Sequence, residues 1–327
     1  MKNIYINSQG GLGFNLALSH IAGELKSAYD KVCILSPYYD VFESCPDVDY
    51  VYKPSEIRDF IFDAKHDDAK LICERMYDSE DFIYKKLSYA DAWRKAAGLK
   101  IKGNKNGSDT VSNLEPGRAY PLLIKTANNI LAELTNKGYE DFVIMQFEGG
   151  QSPLVQVPSG QDGNPDWSKV PTNYDNEPLK RHYPHERAQT FITKFRERHP
   201  KTAIILYQLP NEHQYQGAEQ FLAPYLTYYI LAKHESCIGT VSIDSSLQHL
   251  VAGVTKSVVL WGHSLPLSFG YDYNKNLIQK CNRDDILYFS ALGPSGARID
   301  YMEPEVLLKE VDEYLFPSLT EGREKKD

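Results

Sequence analysis

Residues 237–250 read Cys-Ile-Gly-Thr-Val-Ser-Ile-Asp-Ser-Ser-Leu-Gln-His-Leu. The first seven, Cys237–Ile243, are a short and mostly apolar run with four β-branched side chains, which reads as a buried strand. Asp244 and Ser245 are residue types that open helices, and the pattern predicts a helix over Ser245–Gly253. A strand that passes into a helix through a polar turn is the unit of a parallel α/β sheet. The next apolar run, Ser257–Trp261, reads as the neighbouring strand and ends in Trp261-Gly262-His263 at the same edge. A helix start presents free N–H groups and a positive dipole end, which suits a diphosphate. Ser245 and Ser246 are small and carry hydroxyl donors. His249 lies one turn into the helix, where its imidazole can point back at the same anion. A plain cap would use the first two residues as well; the two serines together with His249 favour phosphate.

The same alternation extends in both directions. Upstream, Ala203–Tyr207 reads as a strand, Gln208–Gln216 as a loop and Ala218–Lys233 as a helix. Phe142–Phe147 reads as a strand that ends in Glu148-Gly149-Gly150-Gln151-Ser152. A long stretch without pattern, Pro153–His182, separates it from a helix over Pro184–His199, and structureless stretches of that length are often functional. At the N-terminus, a strand over Lys2–Asn7 meets a glycine turn at Gly10–Gly13 and a helix over Asn15–Tyr29. Strands follow at Lys31–Ser36 and Val48–Tyr52. Ser55–Ala97 reads as mostly helical and Gly98–Gly117 as a loop. A helix over Tyr120–Lys137 is closed by Gly138. The chain is therefore expected to be α/β in two halves, 1–138 and 139–303, with a last helix over 304–316 packing back on the first half.

In open α/β sheets, ligands bind outside the carboxyl ends of the strands, so the turns there are the candidate site. Gly149 and Gly150 let a ligand approach the backbone, with Gln151 and Ser152 beside them. Arg181, before Pro184 in Arg181-His182-Tyr183-Pro184, has the planar fork that pairs with phosphate. Gln208 and Glu212 follow the strand ending at Tyr207, and a carboxylate there can accept from both hydroxyls of a ribose. Gly11 and Gly13 fit the start of a dinucleotide fingerprint. The third glycine position is Leu16, however, and no clear acidic residue follows the second strand. That turn is read as facing the cleft, and a nicotinamide-dependent oxidoreductase as the weaker alternative.

Composition narrows the classes further. The 327 residues carry a net charge of -8, which argues against coating nucleic acid by bulk charge. Arg94, Lys95, Lys100, Lys102 and Lys105 form one local basic run. The five cysteines are scattered without a CxxC pair, so neither a zinc site nor a disulfide framework is indicated and no metal is expected. No signal peptide and no apolar run near the roughly 18 residues of a membrane span is visible. The expectation is a cytoplasmic protein without a resident cofactor.

Together these motifs resemble the heptosyltransferase-type glycosyltransferases. Asp244-Ser245-Ser246-Leu247-Gln248-His249 resembles that family's Asp-(Thr/Ser)-Gly-x-x-His, with Ser246 in place of glycine. Val258–Leu260 with Trp261-Gly262 resembles its next strand and Phe-Gly. Ser152 matches its small hydroxyl residue, Arg181-His182-Tyr183-Pro184 its Lys-x-Trp-Pro, and Glu212 its ribose carboxylate. The resemblance implies a GT-B fold, two Rossmann-like domains facing across a cleft. It implies a nucleotide-diphosphate sugar donor on the C-terminal domain and a hydroxyl acceptor on the N-terminal one, with inversion and no metal. Ser152, Arg181 and His249 would then stabilise charge on the leaving diphosphate. The family's proposed base, an Asp after the N-terminal glycine turn, is Phe14 here, and Phe cannot take a proton. Asp40, which follows the second strand, is the favoured substitute, ahead of His20 and Glu148. A lipopolysaccharide or other glycan acceptor follows from the resemblance. A phage-type enzyme acting on hydroxymethylated DNA and a catalytically silent sugar-nucleotide binder are the alternatives.

Overall fold

The computed structural model describes residues 2–73, 76, 79, 87–103, 107–149, 182–209, 212–261, 266–278 and 302–317. Among these, ten strands form two sheets in which every neighbouring pair is parallel. The first half holds β1 (Asn3–Asn7), α1 (Leu12–Ser19), α2 (Ala22–Ala28), β2 (Lys31–Leu35), α3 (Tyr39–Glu43), β3 (Tyr50–Tyr52), α4 (Ile57–His66), β4 (Lys70–Ile72), α5 (Tyr89–Ala97), α6 (Pro116–Ala119) and α7 (Pro121–Asn136). The second holds β5 (Asp141–Gln146), α8 (His185–Arg198), β6 (Thr202–Leu206), β7 (Glu219–Gln220), α9 (Tyr225–Ala232), β8 (Cys237–Ile243), α10 (Ser246–Leu250), β9 (Ser257–Trp261), α11 (Pro266–Phe269), β10 (Lys275–Ile278) and α12 (Pro304–Leu315).

The first sheet runs β3-β2-β1-β4 and the second β10-β9-β8-β5-β6-β7. Numbered within its own half, the second sheet has the doubly wound order 3-2-1-4-5-6. Strand order reverses between β5 and β8 there, and between β1 and β4 in the first sheet. Crevices open at the carboxyl ends of such reversals. The central strands are continuous apolar runs because helices cover both of their faces: Phe142, Val143, Ile144 and Met145 of β5 are all buried. One apolar cluster is continuous from Ile4 and Leu16 in the first half to Leu226, Leu247 and Trp261 in the second. A second cluster lies beneath the second sheet, and a smaller one joins Phe60 of α4 to Tyr5 and Tyr52.

Several expectations need correction. The helix over Asn15–Tyr29 is two helices, α1 and α2, and α1 starts earlier, at Leu12. The break falls where the Ser19 hydroxyl donates to the Leu16 carbonyl at 2.7 Å, a local bond that competes with the helix. The segment read as mostly helical contains β4, too short and too exposed for its pattern to show. Ala218–Lys233 holds β7 and then α9, because Pro224 keeps Ala223 out of the helical region. β10 was not anticipated. The helix after Ser245 is only Ser246–Leu250. Finally, among the described residues α12 packs chiefly on α8 and β8 of the second half. Gly239 of β8 allows this approach, since a Cβ there would lie 2.7 Å from Leu315.

Candidate functional site

The reversal point of the second sheet is a joined structure. Gln146, at the end of β5, donates from Nε2 to the Ser245 hydroxyl at 3.2 Å and accepts the Leu247 N–H at 3.3 Å. One amide thus ties β5 to the start of α10. The Ser246 and Tyr207 hydroxyls lie 3.2 Å apart, which adds the end of β6 to the set. Asp244 is buried and accepts from Gln248 Nε2 at 2.7 Å. Ser245 and Ser246 are half-buried at the edge of the crevice. With α10 only one turn and a half long, its dipole is smaller than a nine-residue helix would supply, and hydroxyl and amide donors carry more of any anion binding.

His249 is placed differently from the expectation. Its ring is 4% exposed and lies against the glycine turn of the first half. A Cβ on Gly13 would sit 2.8 Å from Cδ2 and 3.3 Å from Nε2 of His249, so no other residue fits position 13 without displacing the ring. Nδ1 lies 2.8 Å from the Tyr271 hydroxyl, which in turn lies 3.2 Å from Nδ1 of His20. Gly11 opens α1 with open space on its side. Asn15, buried beneath the turn, donates to the carbonyls of Gly10 and Gly11 at 3.0 Å and accepts from the Ser36 hydroxyl at 2.7 Å. That amide links the ends of β1 and β2. Phe14 packs on Trp93 at 5.0 Å between ring centroids and on Tyr89 at 5.9 Å, inside the first half.

Asp40 does face the second half. Its Oδ1 accepts from the Tyr225 hydroxyl at the start of α9, and from its neighbour's N–H at 3.1 Å. Glu212 is 8% exposed; burial pushes its carboxyl up to about 8, the Leu209 N–H at 2.8 Å partly offsets this, and the charge of Glu148 adds to it. Glu148 is 3% exposed and also raised by burial; it accepts the His213 N–H at 3.0 Å and lies 3.6 Å from His185. His185 stacks on His213 with centroids 4.3 Å apart. Gly149 donates its N–H to Nδ1 of His182 at 3.1 Å. The Gln208 Nε2 is buried and has no hydrogen-bond partner among the described residues. Gly150, Gln151, Ser152 and Arg181 lie outside the described residues, as do Gly262 and His263. Sequence reasoning missed Gln146, Tyr207, Tyr225 and Tyr271. Each is a residue after or within an ordinary element, and only contact across the fold gives it a role.

Two members of the basic run, Arg94 and Lys102, are held in ion pairs, and Lys105 lies outside the described residues. Arg94 is fully buried, paired with Glu24 at 2.7 Å, Asp91 at 2.9 Å and Asp109 at 3.3 Å; Lys102 pairs with Asp109 at 3.0 Å. These carboxylates offset the charge of Arg94 and Lys102, which weakens the local support for a DNA acceptor.

The two parallel sheets thus meet carboxyl edge to carboxyl edge, with α1 on α10 and the Tyr225 hydroxyl of α9 on Asp40 of α3. The fold is GT-B. No protein-family model and no curated protein matches the sequence, but solved structures do. A glycosyl transferase of family 9 from Veillonella parvula is similar over 97% of this chain and 97% of its own, with a TM-score of 0.61 at 11% identity. The ADP-heptose lps heptosyltransferase II of E. coli is similar over 98% and 100%, at 0.56 and 13%. An E. coli heptosyltransferase solved with ADP is similar over 95% and 99%, at 0.53 and 11%. In this GT-B chain no described helix is long and apolar enough to cross a membrane.

Proposed function

We propose that the protein transfers a sugar from a nucleotide-diphosphate sugar to a hydroxyl acceptor, by a single displacement with inversion. The observation that carries this reading is the edge-to-edge meeting of two reversal points, with Ser245 and Ser246 of one half across from the Gly11–Gly13 turn of the other. Such a cleft holds two ligands side by side and excludes water from the reacting centre. The donor's diphosphate is assigned to Ser245, Ser246 and the glycine-rich end of β5, with Gln151, Ser152 and Arg181 completing the set. Hydroxyl and guanidinium donors of this kind hydrogen-bond a diphosphate, the guanidinium offsetting part of its charge without a divalent ion, and turnover unchanged by a chelator would agree with that. Glu212 and Gln208 are assigned to the ribose. Asp40, held by Tyr225, is assigned to the acceptor's hydroxyls. The acceptor is a glycan of lipopolysaccharide type by analogy with the proteins of this fold.

The test is a thermal-shift panel of UDP, ADP, GDP, CDP, their sugar conjugates and NAD. A ligand at 100 times its dissociation constant adds about 2.7 kcal/mol to stability. Stabilisation by one nucleoside diphosphate, reduced in Ser246→Ala, is the expected result. Stabilisation by NAD alone, or by nothing, would sink the reading. Donor binding without turnover on any acceptor would reduce it to a sugar-nucleotide binder.

A further inference from the structure

Single exposed apolar side chains are ordinary on a protein surface, but a group of them on one face marks an interaction site. Five of the large apolar side chains that stay exposed among the described residues share one layer of the first half. α4 covers the sheet face on which Tyr5, Cys33, Tyr52, Phe60 and Ala64 form a small core. Leu71 of β4 is in register with Tyr5, and Tyr50 of β3 with Cys33, so both project to that face and emerge on either side of the helix. They are 44% and 50% exposed. The helix itself adds Ile57, Ile61 and Phe62, the last 69% exposed. At about 100° per residue, Phe62 stands opposite the edge buried through Phe60 and Ala64. Arg58 and Lys65 stand within roughly 60° of it, with Ile61 and Ile57 beyond them on the same flank. Asp59 and Asp63 lie on the other flank.

The charges of this layer are held unequally. Asp63 accepts from the Tyr52 hydroxyl at 2.6 Å, and Asp67 from Lys31 and the Tyr5 hydroxyl at 2.8 Å each. Glu56 accepts the Lys53 N–H at 2.7 Å. These carboxylates are turned onto the sheet or the helix start. Arg58 and Lys65 are exposed and make no ion pair among the described residues. Asp59, on the far flank, and Asp68, past the helix end, are the exposed carboxylates that oppose them. We propose that this face docks on a membrane surface carrying anionic phosphate headgroups, with Phe62 and Ile61 entering the headgroup region and Arg58 and Lys65 meeting the phosphates. Charge complementarity sets the occupant: unpaired cations stand beside apolar side chains, as lipid phosphates stand above apolar chains. The net charge of -8 repels an anionic surface elsewhere on the molecule, so docking is confined to this orientation. The proposal does not rest on the transfer reading and meets it at one point. α4 returns from β3 to β4, so its Ile57 end lies at the carboxyl edge. Lys53 at that end stands over the Tyr39 ring at 4.6 Å, next to Asp40. An acceptor held in a lipid surface would enter the cleft along that side.

Vesicle sedimentation with the full chain tests this. Phosphatidylcholine vesicles containing a quarter of phosphatidylglycerol should carry the protein down, and pure phosphatidylcholine vesicles much less. Salt at roughly 1 M, which screens charges beyond about 3 Å, should release it. Each cation near such a surface contributes a factor of about five in affinity, so Arg58→Gln with Lys65→Gln should weaken binding roughly 25-fold. Phe62→Ser with Ile61→Ser should abolish binding and leave the melting temperature unchanged, because both side chains are exposed. Leu222→Ser, 74% exposed in the second half, should bind as the wild type does. Indifference to phosphatidylglycerol overturns the proposal, as does wild-type binding by either double variant, or a loss in Leu222→Ser equal to theirs. A dimer in sedimentation velocity that Phe62→Ser dissociates also overturns it, since a second copy then covers the face. Nucleotide binding in the thermal-shift panel is expected in every variant, so failure of the docking proposal leaves the transfer reading standing, and failure of that reading leaves the vesicle result unchanged.

Discussion

Phe14 shows how one residue can be misjudged by its neighbours in sequence. It follows the glycine turn that faces the cleft, yet its ring turns inward onto Trp93 and Tyr89. A carboxylate there would be buried among aromatic rings. Phe14→Asp is therefore expected to destabilise the protein by about 3–5 kcal/mol and to add no activity, which a urea melt and a turnover assay would check. Glu212 carries a second prediction. Its folded pKa of about 8 stands above the ordinary 4.5. Between these values the folded state binds more protons than the unfolded one, so stability falls as pH rises from 4.5 to 8. Glu212→Gln should flatten that slope in melts taken from pH 5 to 9, and a slope unchanged in the variant would contradict the assignment. If a ribose donates both hydroxyls to this group, nucleotide binding drives off its proton. Binding enthalpy measured near pH 7 should then vary with the ionisation enthalpy of the buffer.

At the scale of elements, the turn that joins β5, β8 and α10 depends on one amide. Gln146→Leu would leave the Leu247 N–H and the Ser245 hydroxyl without their bonds to it. The expected loss is about 1–3 kcal/mol of stability, together with weaker nucleotide binding, readable in the same thermal-shift panel. Gly253 holds the turn after α10 in a left-handed conformation, φ +68°, and a Cβ there would lie 2.3 Å from Val111. Gly253→Ala should lower the melting temperature by several degrees, since strain and clash act together. The helices at this edge were harder to bound than the strands. Strand ends follow from where apolar runs stop. Helix ends at the cleft follow from bonds such as Ser19 to Leu16, which depend on local side-chain geometry.

For the whole molecule, α9 of the second half packs on α6 and α7 of the first, and three further sets of contacts set how the halves face each other. One is His249 on Gly13 with the Tyr271–His20 chain, and another is Asp40 with Tyr225. The third is the segment 107–115, which leaves the first half and lies along the second. Ser108 pairs with Tyr271, Ser112 donates its N–H to Ala252 at 2.7 Å, and Leu114 donates to the Tyr229 hydroxyl at 3.1 Å. The segment holds the halves in one arrangement, so large closure on donor binding is not expected. Tyr225→Phe removes one bond only and should lower stability by about 0.5–1.5 kcal/mol. It should also speed amide exchange in the first turns of α3 and α9. Unchanged exchange there would show that Asp40 and Tyr225 do not join the halves in solution.

The sequence by itself determined the two α/β halves, the position of nearly every long strand, and the Asp244–His249 turn as the centre of the second half. Those features rest on apolar periodicity and on caps, which are properties of neighbours along the chain. It also marked Asp40 and Glu212 as residues at strand ends. Only the tertiary structure decided what these groups touch. Whether His249 turns to its own helix start or to Gly13 depends on Tyr271 and His20, 22 and 229 residues away along the chain. Whether Arg94 is a free cation depends on Glu24 and Asp109, and whether Phe14 faces solvent depends on Trp93. Protonation, burial and polarity are set by partners distant in sequence, and no local pattern encodes them.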